Sequence, residues 1–187
     1  MAKLNYNVVM HGVSGRVGDL LTFIQRNGKT YIGKIRAKGD GTVTDKQQAA
    51  REKFLAASRY AKGAINDPQK LALYKEKAET GVTPFNVALR DFISAPEVIG
   101  FDTTLYTGAI GGIIRIVATD DTQVTEVKVR ITSAAGVMLE EGLAVLNAET
   151  QTFDYASTVA NGVRVGSKVT AFAKDLPGNV TEQEMVL

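Results

Sequence analysis

The chain has 187 residues, 44% hydrophobic and 22% charged, with no cysteine, no tryptophan and a formal net charge of +2. That is enough chain for one ordinary domain or two small ones with a buried core, and the composition is that of a globular protein. Lack of cysteine excludes disulfides, thiolate metal sites and a thiol nucleophile; no apolar run approaches the roughly 18 residues that span a bilayer.

Charge is spread unevenly. Residues 1–62 hold 12 Lys/Arg and 4 Asp/Glu, residues 63–96 hold four of each, and residues 97–187 hold six and twelve. A basic front and an acidic back suit nucleic-acid contact at the front, or copies meeting head to tail with steering of the encounter. Two domains with ordinary solvated surfaces produce the same distribution.

The first segment, Met1 to Asn7, carries one lysine and neither an apolar stretch nor a small-residue cleavage site, so no export signal is expected. Next comes Gly12-Val13-Ser14-Gly15-Arg16-Val17-Gly18. It lacks the Gly-Lys-Ser/Thr of a P-loop and the Gly-x-Gly-x-x-Gly of a dinucleotide fold. It resembles the Gly-x-x-Gly-Arg-x-Gly turn of dihydrodipicolinate reductases, which implies a strand at Val8-Val9-Met10, a helix after Gly18 and a cofactor pyrophosphate between them. The following residues speak against that. Thr22, Phe23 and Ile24 before Asn27-Gly28, and Thr30, Tyr31 and Ile32 after it, read as the two arms of a tight hairpin. The further strand–helix units of a parallel sheet are missing before residue 97. The glycines are therefore expected to serve backbone bends or a close approach by another chain.

After a Gly39–Thr42 loop, Thr44-Asp45-Lys46-Gln47 has the spacing of a capping box and opens a helix through about Gly63, with Ala50, Phe54, Ala57, Ala61 and Ile65 as its stripe. Asp67-Pro68 begins a second helix that ends near Gly81. Thr83-Pro84 begins a third, with Phe85, Leu89 and Phe92 on one face, closing before Pro96. Three short helices are too thin for an independent core and are expected to pack on the hairpin.

From residue 97 the style changes. "GIIRIVATDD" and "VTEVKVRITSAAG" alternate apolar and polar residues, and "QTFDYAS", "KVTAFAKDLPGN" and "VTEQEMVL" add further strands. Six or seven short strands predict a β-sandwich, with Val127, Val129 and Ile131 inward and Lys128, Arg130 and Thr132 outward. The segments Ile116–Asp120, Val124–Val129 and Ala173–Asn179 carry I-x-A-x-D, V-x-x-V-x-V and A-x-D-x-x-G-N patterns. On these the last half resembles bacterial immunoglobulin-like domains, which implies a sandwich without the paired cysteines and core tryptophan of antibody domains. The N-terminal glycine turn, the Arg26-Asn27-Gly28-Lys29 hairpin and the helix start Lys46-Gln47-Gln48 are similar to short bacterial proteins of unknown function; that likeness brings no activity with it.

Chemistry-bearing residues are few. The single histidine, His11, stands near Ser14 without an orienting acid or a nucleophile elbow. Asp102, Asp120, Asp121 and Asp175 lie near strand ends, where sandwich domains sometimes hold calcium, but their spacing is no calcium loop and solvated turns are expected. Glu140-Glu141 reads as one acidic pair in a turn. No catalytic, cofactor-binding or metal-binding residue is assigned. Arg16, Phe23, Arg26, Lys29, Tyr31, Lys34 and Arg36 are the candidate contact residues, basic side chains interleaved with aromatics, able to meet phosphates and bases or an acidic neighbour.

The resulting expectation is a mainly β chain with a small α segment: an N-terminal β-ribbon with short helices over residues 1–96, then an immunoglobulin-like β-sandwich over residues 97–187. With no catalytic inventory, the chain reads as a structural subunit and not an enzyme. It would be made in the cytoplasm without a signal peptide and would assemble head to tail through the N-terminal arm into a phage-like particle or filament, alongside other particle proteins. A surface adhesin exported by another route, and a nucleic-acid-binding protein, remain the alternatives; membrane insertion is not expected.

Overall fold

The computed structural model describes residues 2–4, 10, 12–26, 28–35, 41 and 43–187. His11, Asn27, Arg36, the Val8–Val9 strand and most of the Gly39–Thr42 loop lie outside them. The chain divides into two compact units, residues 1–50 and 51–187.

In the first unit, β1 (Ala2–Leu4), β2 (Gly15–Val17), β3 (Leu21–Arg26) and β4 (Lys29–Lys34) form an antiparallel sheet of order β1-β4-β3-β2. The β3–β4 pair is the expected hairpin. Arg26 stands opposite Lys29, and Gly28 in the connection has a φ of 68°, the left-handed conformation a two-residue turn demands. The ribbon is broader than a hairpin, because β1 and β2 pair with its outer edges and take up backbone groups that a two-stranded ribbon leaves open. After Gly15 the chain runs on as a strand and then a turn over residues 18–20. The glycine run is thus followed by a strand where a pyrophosphate site needs a helix N-terminus.

Three helices follow, α1 (Asp45–Asn66), α2 (Pro68–Glu76) and α3 (Pro84–Ile93). Each opens as its sequence dictates. At α1 the capping box is reciprocal: the Gln47 N–H donates to Thr44 Oγ1 at 3.3 Å and the Thr44 N–H to Gln47 Oε1 at 3.3 Å. Asp67 accepts from the N–H groups of Gln69 and Lys70, Thr83 accepts from that of Asn86, and a proline follows each cap. Ala61, Ala64, Tyr74, Val87 and Ala88 form a small buried cluster with Leu176 of the sandwich packed on it. The helices α2 and α3 therefore share a unit with the sandwich, not with the hairpin. Two stripe expectations shift as well. Phe54 is 56% exposed while Ala64 is buried, and the buried face of α3 is Val87, Ala88 and Asp91.

The remaining eight strands are β5 (Glu97–Asp102), β6 (Ile113–Thr119), β7 (Val124–Thr132), β8 (Met138–Leu143), β9 (Val145–Asn147), β10 (Thr152–Ala156), β11 (Lys168–Asp175) and β12 (Val180–Val186). They make two four-stranded sheets, β5-β6-β10-β9 and β12-β11-β7-β8. Lettered from A with C′ after C, that is the A-B-E-D and G-F-C-C′ order of an immunoglobulin-type sandwich. The core lies between the sheets. Ile114 and Ile116 from one, with Val127, Val129, Ile131, Val169, Ala171 and Ala173 from the other, are completely buried. The outward alternates Lys128 and Arg130 pair with Glu141 and lie over the Phe172 ring.

Candidate contact surface and buried polar centre

Because side chains alternate across a strand, residues paired in register share a face. One face of the N-terminal sheet carries Val17, Leu21, Phe23, Gln25, Thr30, Ile32 and Lys34; the other carries Arg16, Thr22, Ile24, Arg26, Lys29 and Tyr31. Phe23 and Thr30 are each only 5% exposed, so the first face is the inner one at its centre. Gln25 ties it to the glycine segment, donating from Nε2 to the Val13 carbonyl at 3.1 Å and to Thr30 Oγ1 at 2.7 Å.

The candidate contact residues therefore separate. Arg16, Arg26, Lys29 and Tyr31 come together on the outer face, with Ile24 directly opposite Tyr31. Phe23 and Lys34 belong to the inner face, which divides an interleaved pattern that looked continuous in the sequence. Arg16 meets Asp19 at 3.2 Å in an exposed pair, which contributes little to stability but sets a carboxylate beside the cation. Arg26 and Lys29 have no ion-pair partner among the described residues.

In the second unit the polar chemistry is buried and self-contained. Tyr74 donates to Asp91 Oδ2 at 2.7 Å, and its hydroxyl lies 2.8 Å from that of Tyr60. Asp91 is fully buried. Burial pushes its pKa up to about 6 despite the Tyr74 hydrogen bond and the nearby Thr122 hydroxyl that favour the anion, and the Asp120 and Asp175 charges push the same way as burial. Its Oδ1 and the hydroxyl of Thr122 are buried without a well-directed hydrogen bond. Burial likewise raises the Tyr74 and Tyr60 hydroxyls.

The aspartates of the two motifs at the end of the sandwich are turn anchors. Asp120 accepts from the N–H groups of Thr122 and Gln123, and Asp175 from those of Gly178 and Asn179. Asn179 then donates from Nδ2 to Asp175 and to the carbonyls of Asp91, Phe92 and Ser94, fastening α3 to the β11–β12 turn. Asp175 is 1% exposed, where a solvated turn was expected. Asp102 holds Thr104, whose hydroxyl and N–H lower its pKa, and Asp121 pairs with Arg90 at 3.2 Å. Among the described residues no three metal-ligating side chains come together.

Glu140 and Glu141 are in strand β8, not in a turn, and face opposite ways. Glu141 is held below the usual carboxylate range by Lys128 and Arg130. Glu140 pairs in register with the core residue Ile131, and its Oε2 accepts from the Tyr155 hydroxyl, the Thr158 N–H and hydroxyl and the Val159 N–H. Burial and the bond to Glu140 push the Tyr155 pKa up to about 12. An open cleft of about 250 Å³ lies beside the β6–β7 turn, lined among others by Lys77, Asp120, Gln123, Gln151 and Phe153. Gln151 has a φ of 56°, the one positive value outside glycine among the described residues.

Asp91 escaped notice as sequence, and Glu140 was read with Glu141 as an acidic pair in a turn, because both interrupt apolar patterns. Asp91 falls three and four residues after Ala88 and Val87, and Glu140 is one of two adjacent acids in an alternating strand, so one of them must point inward.

No family model, curated protein or solved structure matches the chain.

Proposed function

We propose that the protein is a non-enzymatic structural subunit that assembles with copies of itself through its N-terminal sheet, into a phage-like particle or filament. The observation that carries this reading is the outer strand β2. All three of its residues are exposed, among the described residues it is paired on one side only, and it is followed by Leu20, which is 72% exposed. A short unpaired edge beside exposed apolar side chains is a template for strand addition by a second chain. The basic excess of residues 1–62 against the acidic excess of residues 97–187 adds a reason for repeating, heterologous contacts.

Size-exclusion chromatography with light scattering, alongside negative-stain electron microscopy at low and high salt, tests it. Rings, tubes or fibres are expected, dissociating in salt if the charged ends drive contact. A monodisperse monomer under every condition overturns the proposal.

A further inference from the structure

We propose that the outer face of the N-terminal sheet is a binding surface for single-stranded nucleic acid. This goes beyond the assembly reading, which uses the edge of the sheet and not its face.

Strand register builds this surface. Moving along the β3–β4 hairpin on this face, the rows are Arg26 with Lys29, then Ile24 with Tyr31, then Thr22 with Gly33, and β2 adds Arg16 beside Thr22. Rows on one face are two residues apart, about 7 Å along a strand. One end of the patch thus carries the two cations Arg26 and Lys29, and the other, about 14 Å away, carries Arg16 beside Asp19, with an aromatic ring and an aliphatic side chain between them. A single strand offers this surface phosphates at intervals and unstacked bases, which is what a basic groove with an aromatic platform binds. Duplex hides its base faces and has no use for Tyr31.

Charge favours a polyanion. The segments β2, β3 and β4 contain no acidic residue, and Arg26 and Lys29 stand free of carboxylates among the described residues. An acidic protein surface would use the cations and leave the aromatic row without a role, so nucleic acid is the fuller match. The surface holds backbone and base faces without reading base edges, so binding is tolerant of sequence.

The same register supplies an internal control. Lys34 lies on β4 five residues from Lys29, carries the same charge and is exposed, yet it belongs to the opposite face. Any effect of net charge alone weighs the two lysines equally; a surface does not.

The test is fluorescence anisotropy of a labelled oligothymidylate of about 20 nucleotides against the full-length protein, over a salt series. Binding at low salt is expected, with Arg26→Ala plus Lys29→Ala lowering affinity at least about tenfold and flattening the logarithmic salt slope by about 1.4, two phosphate contacts at 0.7 each. Lys34→Ala should change affinity less than about twofold. Tyr31→Ala should weaken the oligonucleotide roughly tenfold and leave polyglutamate binding unchanged, whereas Tyr31→Phe keeps the wild-type affinity. Circular dichroism confirms that each variant is folded. Equal losses for Lys34→Ala and Lys29→Ala, or no oligonucleotide binding at low salt, overturn the proposal. Equal binding of polyglutamate, with no effect of Tyr31→Ala on either ligand, also overturns it and assigns the face to an acidic protein. Light scattering without nucleic acid reads assembly separately, so either proposal can fail while the other stands.

Discussion

The N-terminal sheet and the sandwich are both antiparallel and both alternate, yet they bury their inward apolar residues to different extents. In the sandwich the inward alternates of β6, β7 and β11 are buried completely, eight residues from Ile114 to Ala173. In the N-terminal sheet Phe23 is buried, but Val17, Leu20, Leu21 and Ile24 are between 39% and 72% exposed. A second sheet at about 10 Å covers the first arrangement. Each region thus rests on a different share of buried apolar side chain: the sandwich buries whole alternating rows, and the N-terminal sheet buries Phe23 at its centre.

The largest effect of substitution is expected in the sandwich core. Ile116→Ala should cost about 2–5 kcal/mol of unfolding free energy, measured by denaturant titration. A cost under about 1 kcal/mol would mean the sandwich is no better packed than the N-terminal sheet. Glu140→Ala comes next, at about 3 kcal/mol, since it strands the buried Tyr155 hydroxyl and the part-buried donors of Thr158 and Val159. Glu140→Gln, which keeps an acceptor, should cost distinctly less in the same titration.

Asp91 gives a pH signature. Its folded pKa of about 6 lies above the unfolded value of 3.8. The group therefore favours folding fully below about pH 4 and loses that contribution as pH rises through 6, up to about 3 kcal/mol for the two-unit difference. Asp91→Asn should raise stability at pH 7 by about 2 kcal/mol and flatten the pH profile of thermal unfolding between pH 4 and 7. An unchanged profile would mean that the buried carboxyl is not uncharged in the folded protein.

The smallest stability effect belongs to the N-terminal sheet. Leu20→Ser should change unfolding free energy by less than about 0.5 kcal/mol while reducing the assembled mass seen by light scattering. A large destabilisation would show that Leu20 serves a core after all.

Local features were readable wherever a residue's own chemistry decides its conformation. The capping box at Thr44, the Asp67-Pro68 and Thr83-Pro84 helix starts and the hairpin turn at Gly28 all follow from short-range hydrogen bonds or a single φ, and each is in place. The alternation of Val127, Val129 and Ile131 told its faces apart because one face had to be apolar. The contact residues were less legible. Their spacing mixes odd and even positions on two strands, so only the pairing of β3 with β4 separates Tyr31 from Lys34.

Composition, periodicity and capping by themselves determined a mainly β chain with a small helical segment and an apolar stripe in each central strand of the sandwich, because such choices are settled within a few residues. Tertiary structure alone decided that Asp91 and Glu140 are buried acids, that Asn179 fastens α3 to the sandwich, and that Arg16, Arg26, Lys29 and Tyr31 share a face. Those outcomes depend on which distant segments supply donors, exclude water or set the register, and no local pattern encodes the partner.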